Sequence, residues 1–373
     1  MSIATIKVEN KDTVGALRKF LAQLLAGGFV EAVLVPKALP GGEGFVQSLI
    51  RDPAMLADAN PLAPTMAVQS GKILSDLTAT DLPGRIAAVL KPCELRAAVE
   101  LSKFLQVNLD KVVTIGVDCL GTYEVTDYAE LAESDRAVAA GTLIGGTSGN
   151  VAFREACRIC EHPTPVNADI TLCLLGSDAS REVAVIVGER FEKELGEKLS
   201  LDLTGAQPAG RAEAIEKLTA RRKEAREKVL ADLVGRVGSL AGLMDAFSTC
   251  IRCHNCMNVC PICYCKECVF QSALFEHRSE KFLNLADRKG AVRMPSDTLL
   301  FHLTRLSHMA TSCVGCGMCD SACPSGLPVS NLFGLIGREV QGLFDYVPGR
   351  DRAEEVPVSV FKEEELETTT EAH

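Results

Sequence analysis

Cysteine thiols at short, fixed intervals are the groups in this chain best placed to hold a metal centre. Residues 250–261 read Cys250-x2-Cys253-x2-Cys256-x3-Cys260-Pro261, and residues 313–324 repeat the pattern as Cys313-x2-Cys316-x2-Cys319-x3-Cys323-Pro324. Three thiolates two residues apart can wrap one iron–sulfur cubane on a tight loop. The proline then turns the chain away, and the fourth thiolate reaches across to a second cubane. Crossed ligation assigns Cys250, Cys253, Cys256 and Cys323 to one [4Fe–4S] cluster, and Cys313, Cys316, Cys319 and Cys260 to another. Zinc takes four ligands, typically in two separated pairs, and is a poor account of eight cysteines in two matching runs. Gly315 and Gly317 suit a loop whose backbone must approach cluster sulfurs closely.

The spacing is that of bacterial two-cluster ferredoxins. Three more cysteines follow the first run at once, Cys263, Cys265 and Cys268 in PICYCKEC. With Cys260 they also have ligand-like spacing, which competes for Cys260. The crossed assignment is favoured because the second run needs a partner thiolate. The other three are spare ligands or redox-sensitive thiols on this reading. Upstream, Cys93 (LKPCELRAA) and Cys119 (TIGVDCLGTYE) each follow a strand-like run, and Cys157 and Cys160 form a C-x2-C pair. Sites in open α/β sheets gather beyond the carboxyl ends of strands, so these four could form a further thiolate site. Free cysteine is also a common buried apolar residue, and spacing alone leaves the two readings even. Cys173, inside the apolar run TLCLL, reads as core.

The elements that must position these residues change character along the chain. Residues 13–26 have helical apolar spacing ended by Gly27-Gly28; 30–36, 86–91 and 112–117 are strand-like, with a helix over 93–105. Residues 169–176 and 182–188 offer further strands. This alternation predicts an α/β domain with a largely parallel or mixed sheet over 1–205. Residues 206–247 follow as a helical linker, and the periodicity of 211–247 predicts one or two long helices. A ferredoxin-like 2[4Fe–4S] domain is expected over 248–335, with a helical insertion between its runs and an N-cap at Ser296. An extension over 336–373 ends in an acidic tail (EEELETTTEAH) that reads as disordered.

The chain has 373 residues, sixteen of them cysteine, and 47% of it is hydrophobic. Clustered cysteines in a long chain with no apolar leader and no membrane-spanning run read as metal ligands in a cytoplasmic protein. A net charge of −10 argues against non-specific nucleic-acid binding. The basic stretch 211–228 interleaves acids at helical spacing and reads as a solvated helix.

The segments LKPCELRAAVEL, IGVDCLGTYE and CRICEHPTPVNADITLCLLGSD resemble the beta-subunit family of coenzyme F420-reducing hydrogenase and F420-dependent formate dehydrogenase over roughly residues 10–200. The last has that family's C-x2-C followed by Ala168-Asp169-Ile170 and Gly176. The double run with its PICYCKEC extension looks more like the formate dehydrogenase beta subunit. The resemblance implies a third [4Fe–4S] cluster on Cys93, Cys119, Cys157 and Cys160. It also implies bound FAD, where coenzyme F420 or another two-electron carrier exchanges hydride. The implied partner is a catalytic alpha subunit of a formate dehydrogenase or hydrogenase; its electrons would pass through the clusters to FAD. The chain departs from the family at the first helix, where NKDTVGALRKFL has only Gly15 in place of a glycine-rich turn. Leu90-Lys91 also stands where Gly-Thr precedes Pro-Cys. No flavin contact and no catalytic residue is assigned to a position.

The competing reading is a flavin-free adaptor linking a dehydrogenase or hydrogenase to a heterodisulfide reductase-like complex. A third, a thiol redox sensor using Cys263, Cys265 and Cys268, would need a DNA-binding element that the sequence lacks. His254 reads mainly as a loop-surface residue, and His302 and His308 as packing or surface residues. Glu94 and Arg96 beside Cys93 could orient ligands, although an acid in a first helical turn is stabilising by itself.

Overall fold

The computed structural model describes residues 2–360 except 135–151, 200–201, 277, 291–294, 296 and 358. Among these, seven strands form one sheet: β1 (Ser2–Lys7), β2 (Ala32–Ala38), β3 (Phe45–Ile50), β4 (Ile86–Leu90), β5 (Val112–Val117), β6 (Ile170–Cys173) and β7 (Glu182–Val187). Their order is β1-β7-β6-β5-β4-β2-β3. The centre, β2–β4–β5–β6, is parallel, while β3 and the β7–β1 pair add antiparallel edges. The sheet is therefore mixed. β4 (IAAVL) and β5 (VVTIGV) are buried along their whole length, because helices or chain cover both faces of a parallel centre and no position needs a polar side chain.

α1 (Thr13–Ala26) buries Ala16, Leu17, Phe20, Leu21 and Leu24, one stripe at helical spacing. That stripe packs on one sheet face with Val33, Val35, Val113 and Ile115. The opposite face carries α2 (Ser70–Leu77) and α3 (Pro92–Lys103). Its apolar cluster runs without a break from Leu34, Leu90, Leu95 and Val99 into Phe247, Cys250, Ile262, Leu327 and Phe333. The sheet half and the cysteine-rich half thus share one core, which fixes their relative position.

The connecting helices are α4 (Val125–Ser134), α5 (Glu155–Arg158), α6 (Glu192–Leu199), α7 (Arg211–Val237) and α8 (Leu240–Ala246). The stretch expected to hold one or two long helices holds two, divided at Gly238-Ser239, where the Ser239 hydroxyl caps Gly242. Around the cysteines lie α9 (Asn255–Asn258), α10 (Ser279–Lys289), α11 (Thr298–Met309), α12 (Met318–Ser321) and α13 (Val329–Leu343).

The structure refines several boundaries. β2 begins at Ala32 and not at Val30, because the Phe29 and Val30 N–H groups close the α1 turn onto the Leu24 carbonyl. β1, β3 and α2 escaped the periodicity: the two strands are short edges with half-exposed faces, where apolar alternation is weak. Ser296 and the tail EEELETTTEAH lie outside the described residues; the described N-cap position of α11 is Asp297. The described part of the C-terminal extension is packed. Tyr346 and Val356 are buried, and the Tyr346 hydroxyl and the Gly349 N–H (2.7 Å) both donate to Glu100 on α3.

Candidate metal centres

The two runs fold into matching loops. Gly315 and Gly317 have φ of +68° and +70°, and the equivalent positions of the first run, Arg252 and His254, have φ of +54° and +61°. A left-handed conformation costs a residue with a side chain about 1–2 kcal/mol, so something must hold Arg252 and His254 there. Arg252 pairs with Asp297 at the α11 N-terminus, and the His254 ring stacks on Phe301 at 4.7 Å. His254 is half-buried, not a free surface residue.

Cys250, Cys253, Cys256 and Cys323 line one cavity together with Phe301 and His302. Burial pushes the Cys256 thiol up to about 11, with Arg305 opposing the rise and Cys250, Cys253 and Cys323 adding to it. Cys260 leaves its own run. Burial dominates the rise of Cys313, Cys316 and Cys319; after it Cys260 has the largest electrostatic effect on Cys313 and Cys316, and it acts on Cys319 as well. The structure thus brings Cys260 together with Cys313, Cys316 and Cys319. Among the described residues no three Cys, His, Asp or Glu side chains converge as on one metal ion. Four thiolates on one zinc at about 2.3 Å would lie within about 4 Å of each other, whereas a cubane interposes iron and sulfide between them.

The upstream cysteines also converge. Cys93 sits in the first turn of α3, just past β4, and Cys119 just past β5. Cys157 lies in α5 and Cys160 two residues beyond it. Burial raises the Cys93 thiol well above its ordinary value, with Glu94, Cys316, Cys119 and Cys160 adding to the rise. Cys119 is pushed up to about 12 by burial, then by Cys157 and Cys160 against Lys91 and Arg222. Cys157 is the exception: burial opposes its charge, but Arg154 and hydrogen bonds from Thr122 hold it below the ordinary thiol value.

Conserving the shape of this site falls to groups the motif does not contain. Asp118 accepts the Leu174 (2.8 Å) and Leu175 (3.0 Å) N–H groups and a two-pronged pair from Arg211 of α7. Arg222, about three turns further along the same face of α7, donates to the Leu120 and Cys160 carbonyls. Glu94 caps α3 through the Lys91 N–H (2.8 Å) and ties it to Ser70 of α2, so its position is explained by helix capping. Arg96 donates to the Pro348 (2.7 Å) and Val314 (3.2 Å) carbonyls, joining α3 to the second run and to the C-terminal extension.

Arg154 makes the joint between the second run and the upstream set. Its Nη2 lies 3.7 Å from Cys157 Sγ and donates to the Cys316 carbonyl at 3.3 Å; its Nη1 donates to Ser321 at 3.1 Å. Sequence reasoning missed Arg154, and it missed His302 and Arg305. His302 is 2% exposed, with Nε2 3.3 Å from Cys250 Sγ. Arg305 Nη1 donates to Cys256 Sγ at 3.1 Å. Their three-residue spacing on α11 was the signal available, since i and i+3 share a helix face. His308 is exposed, as expected of a surface residue.

The remaining thiols are placed as follows. Cys263 sits beside Cys260 and Arg305, Cys268 Sγ lies 3.9 Å from Met257 Sδ, and Cys265 is exposed. Cys173 is fully buried in β6, the core position expected. A separate cavity at the carboxyl ends of β4 and β5 is lined by Pro61, Leu62, Lys91, Asp118, Cys119, Gly121 and Leu174. Lys91 is buried. At the α1 N-terminus the Asp12 carboxylate accepts the Gly15 N–H at 2.8 Å, so an anion is already seated there.

Residues 246–327 match the family model described as 4Fe-4S dicluster domain. The chain is 28% identical over 375 aligned positions to the F420-dependent formate dehydrogenase subunit beta of Methanocaldococcus jannaschii, covering 91% of this chain and 92% of that protein. It is 27% identical to F420-dependent formate dehydrogenase 1 subunit beta of Methanococcus maripaludis, over 92% of each. A solved structure of the F420-reducing [NiFe] hydrogenase complex from Methanosarcina barkeri, at 13% identity, covers 65% of this chain and 94% of its own with a TM-score of 0.48. The resemblance read from the sequence therefore extends along nine-tenths of the chain. No helix among the described residues is long and apolar enough to cross a membrane.

Proposed function

We propose that this chain is the iron–sulfur electron-transfer subunit of a formate dehydrogenase-type complex, an oxidoreductase subunit whose formate site lies on a partner catalytic chain. The observation that supports it best is the placement of twelve thiols in three neighbouring sets. On this reading Cys250, Cys253, Cys256 and Cys323 hold one [4Fe–4S] cluster, Cys260, Cys313, Cys316 and Cys319 a second, and Cys93, Cys119, Cys157 and Cys160 a third. One-electron transfer is the chemistry such clusters supply when bound.

The protein's own contribution is order and insulation. Arg305 stands between the first and second sets, where Cys256, Cys260 and Cys319 all act on it. Arg154 stands between the second and third. The sets therefore form a file, with the second in the middle. The shared apolar core keeps the file rigid, and backbone and arginine donors hold the loops in place without sealing off the outer end, where Cys253 is exposed.

A flavin would supply the exchange of single electrons for a hydride, as needed to serve a carrier such as coenzyme F420. The cavity beside the third set, lined by Pro61, Leu62, Leu174 and the buried Lys91, has room for about one water molecule and does not suit its ring. The α1 N-terminus does not suit its phosphates, because Asp12 occupies the Gly15 N–H. That carboxylate favours the second reading, a flavin-free adaptor between a dehydrogenase and a heterodisulfide reductase-like partner. Metal and flavin analysis of anaerobically purified chain separates them. About twelve irons per chain with one flavin supports the first reading. Twelve irons without flavin supports the adaptor, and about eight removes the third cluster.

A further inference from the structure

α11 lies in the insertion between the two cysteine runs, a segment that ferredoxin spacing does not require. It places two buried nitrogen-bearing side chains against the first thiol set. Arg305 is 3% exposed and bridges Cys256, donating from Nη1 to Sγ (3.1 Å) and from Nη2 to the carbonyl (3.0 Å). The rings of Phe301 and Phe333 lie under its guanidinium at 5.5 and 5.2 Å. His302 sits 3.3 Å from Cys250 Sγ and is stacked on Phe247 at 4.1 Å. Towards a thiolate its Nε2 must carry the proton. Arg305 also reaches the Cys263 thiol, while His302 Nδ1 and Arg305 Nε have no hydrogen-bond partner among the described residues. Burying such atoms unpaired is unfavourable, which selects against them unless the remaining contacts matter.

The second set is treated differently. Among the described residues no Arg or His side chain is hydrogen-bonded to the Sγ of Cys260, Cys313, Cys316 or Cys319. Arg96, Arg154 and Arg305 act on that set through space only, while the Asp320 carboxylate, 3.9 Å from Cys319 Sγ, opposes added negative charge there. A cluster gains one negative charge on reduction. Cations and hydrogen bonds aimed at its sulfurs favour the reduced form, and they act strongly in a site shielded from water.

We propose that Arg305 and His302 raise the reduction potential of the cluster held by Cys250, Cys253, Cys256 and Cys323 above that of its neighbour. The device rests on the cluster reading given above and adds a direction to the file. An electron comes to rest at the end remote from Cys93 and Cys119, beside the exposed Cys253. Both residues are positioning residues that act through Cys250 and Cys256.

The test is a potentiometric titration of the full chain, followed by electron paramagnetic resonance, with iron counted in every sample. Cys253→Ser identifies the signal of the first set. Arg305→Gln and His302→Phe, the latter keeping the ring stack, are expected to lower that midpoint and move the neighbouring one less. For Arg305→Gln the ratio of reduced to oxidised cluster at fixed potential should fall at least tenfold, about 59 mV for a one-electron couple. Arg305→Lys keeps the charge but not the two-pronged contact, and should restore part of the shift. If Arg305→Gln loses iron, His302→Phe decides. Full iron content with unchanged midpoints, or an equal shift of every cluster, would overturn the proposal. An unmodified chain lacking the two ferredoxin-type clusters would instead sink the functional reading, and this proposal with it; the iron count tells the two failures apart.

Discussion

Gly315 and Gly317 invite a paired experiment, because they share a backbone conformation and differ in what surrounds them. Both lie near φ +70°. A Cβ at Gly315 would meet nothing within 4 Å, whereas one at Gly317 would lie 2.3 Å from Cβ of Ala156. Alanine at either position pays the left-handed torsional cost, about 1–2 kcal/mol. At Gly317 the carbon–carbon contact must also open to about 3.5 Å or more, so the second run and α5 must part by over an ångström. Overpacking of that kind costs a further 1–3 kcal/mol or so. Gly315→Ala should therefore destabilise by about 1–2 kcal/mol and Gly317→Ala by about 2–5 kcal/mol. Ala156 adjoins Cys157, so the damage falls on the joint between the second and third thiol sets. Urea titration of the visible cluster absorbance, with iron counted before unfolding, gives the comparison. Equal midpoints for the two variants would refute the claim that close approach of α5 is what requires glycine at 317.

Other expectations follow from single contacts. Arg211→Leu leaves the buried Asp118 carboxylate with backbone donors only, and should cost about 3–5 kcal/mol, the usual result of breaking a buried pair; loss of iron from the third set before the other two, on mild heating, is the check. Tyr346→Phe removes one hydrogen bond to Glu100 and should cost about 1.5–3 kcal/mol, the range for a bond to a charged group, read as faster proteolysis around residues 344–357. Removing iron by anaerobic chelation should expose amides of residues 248–335 to hydrogen exchange while β4 and β5 stay protected, because metal-binding energy is folding energy only where the ligands are metal-bound. Cys173→Ala should leave the iron content unchanged, since its thiol lies within β6.

The parts legible in sequence were those governed by local rules. Fixed cysteine spacing carried the two runs, and continuous apolar stretches carried β4 and β5, whose burial on both faces leaves no ambiguity of period. Gly27-Gly28 closed α1 where expected. What was not legible depended on distance along the chain. Arg154 reaches Cys316 across 162 positions, and Arg96 reaches Pro348 across 252; no pattern of neighbouring residues encodes such pairings. His302 looked like packing because its ring does pack, on Phe247, while its nitrogen faces Cys250. His254 looked like a loop residue because nothing local reveals that it holds a glycine's conformation. The upstream four thiols sat between these cases: their strand-end positions were visible, and their convergence was not.

The contact of Gly349 and Pro348 with α3 has a consequence for manufacture of the molecule in time. A Cβ at Gly349 would fall 2.3 Å from the Arg96 carbonyl oxygen, so the two segments meet backbone to backbone. Chain growth runs from the amino end, and the partner of Arg96 is made 252 residues after it. Until then Arg96 has no Pro348 carbonyl to hold, and Glu100 lacks its Tyr346 and Gly349 donors. The Cys93, Cys119, Cys157 and Cys160 thiols are complete some 190 residues earlier. The latch is thus made well after the thiols it covers, leaving an interval in which the innermost thiols can be loaded before it shuts over α3.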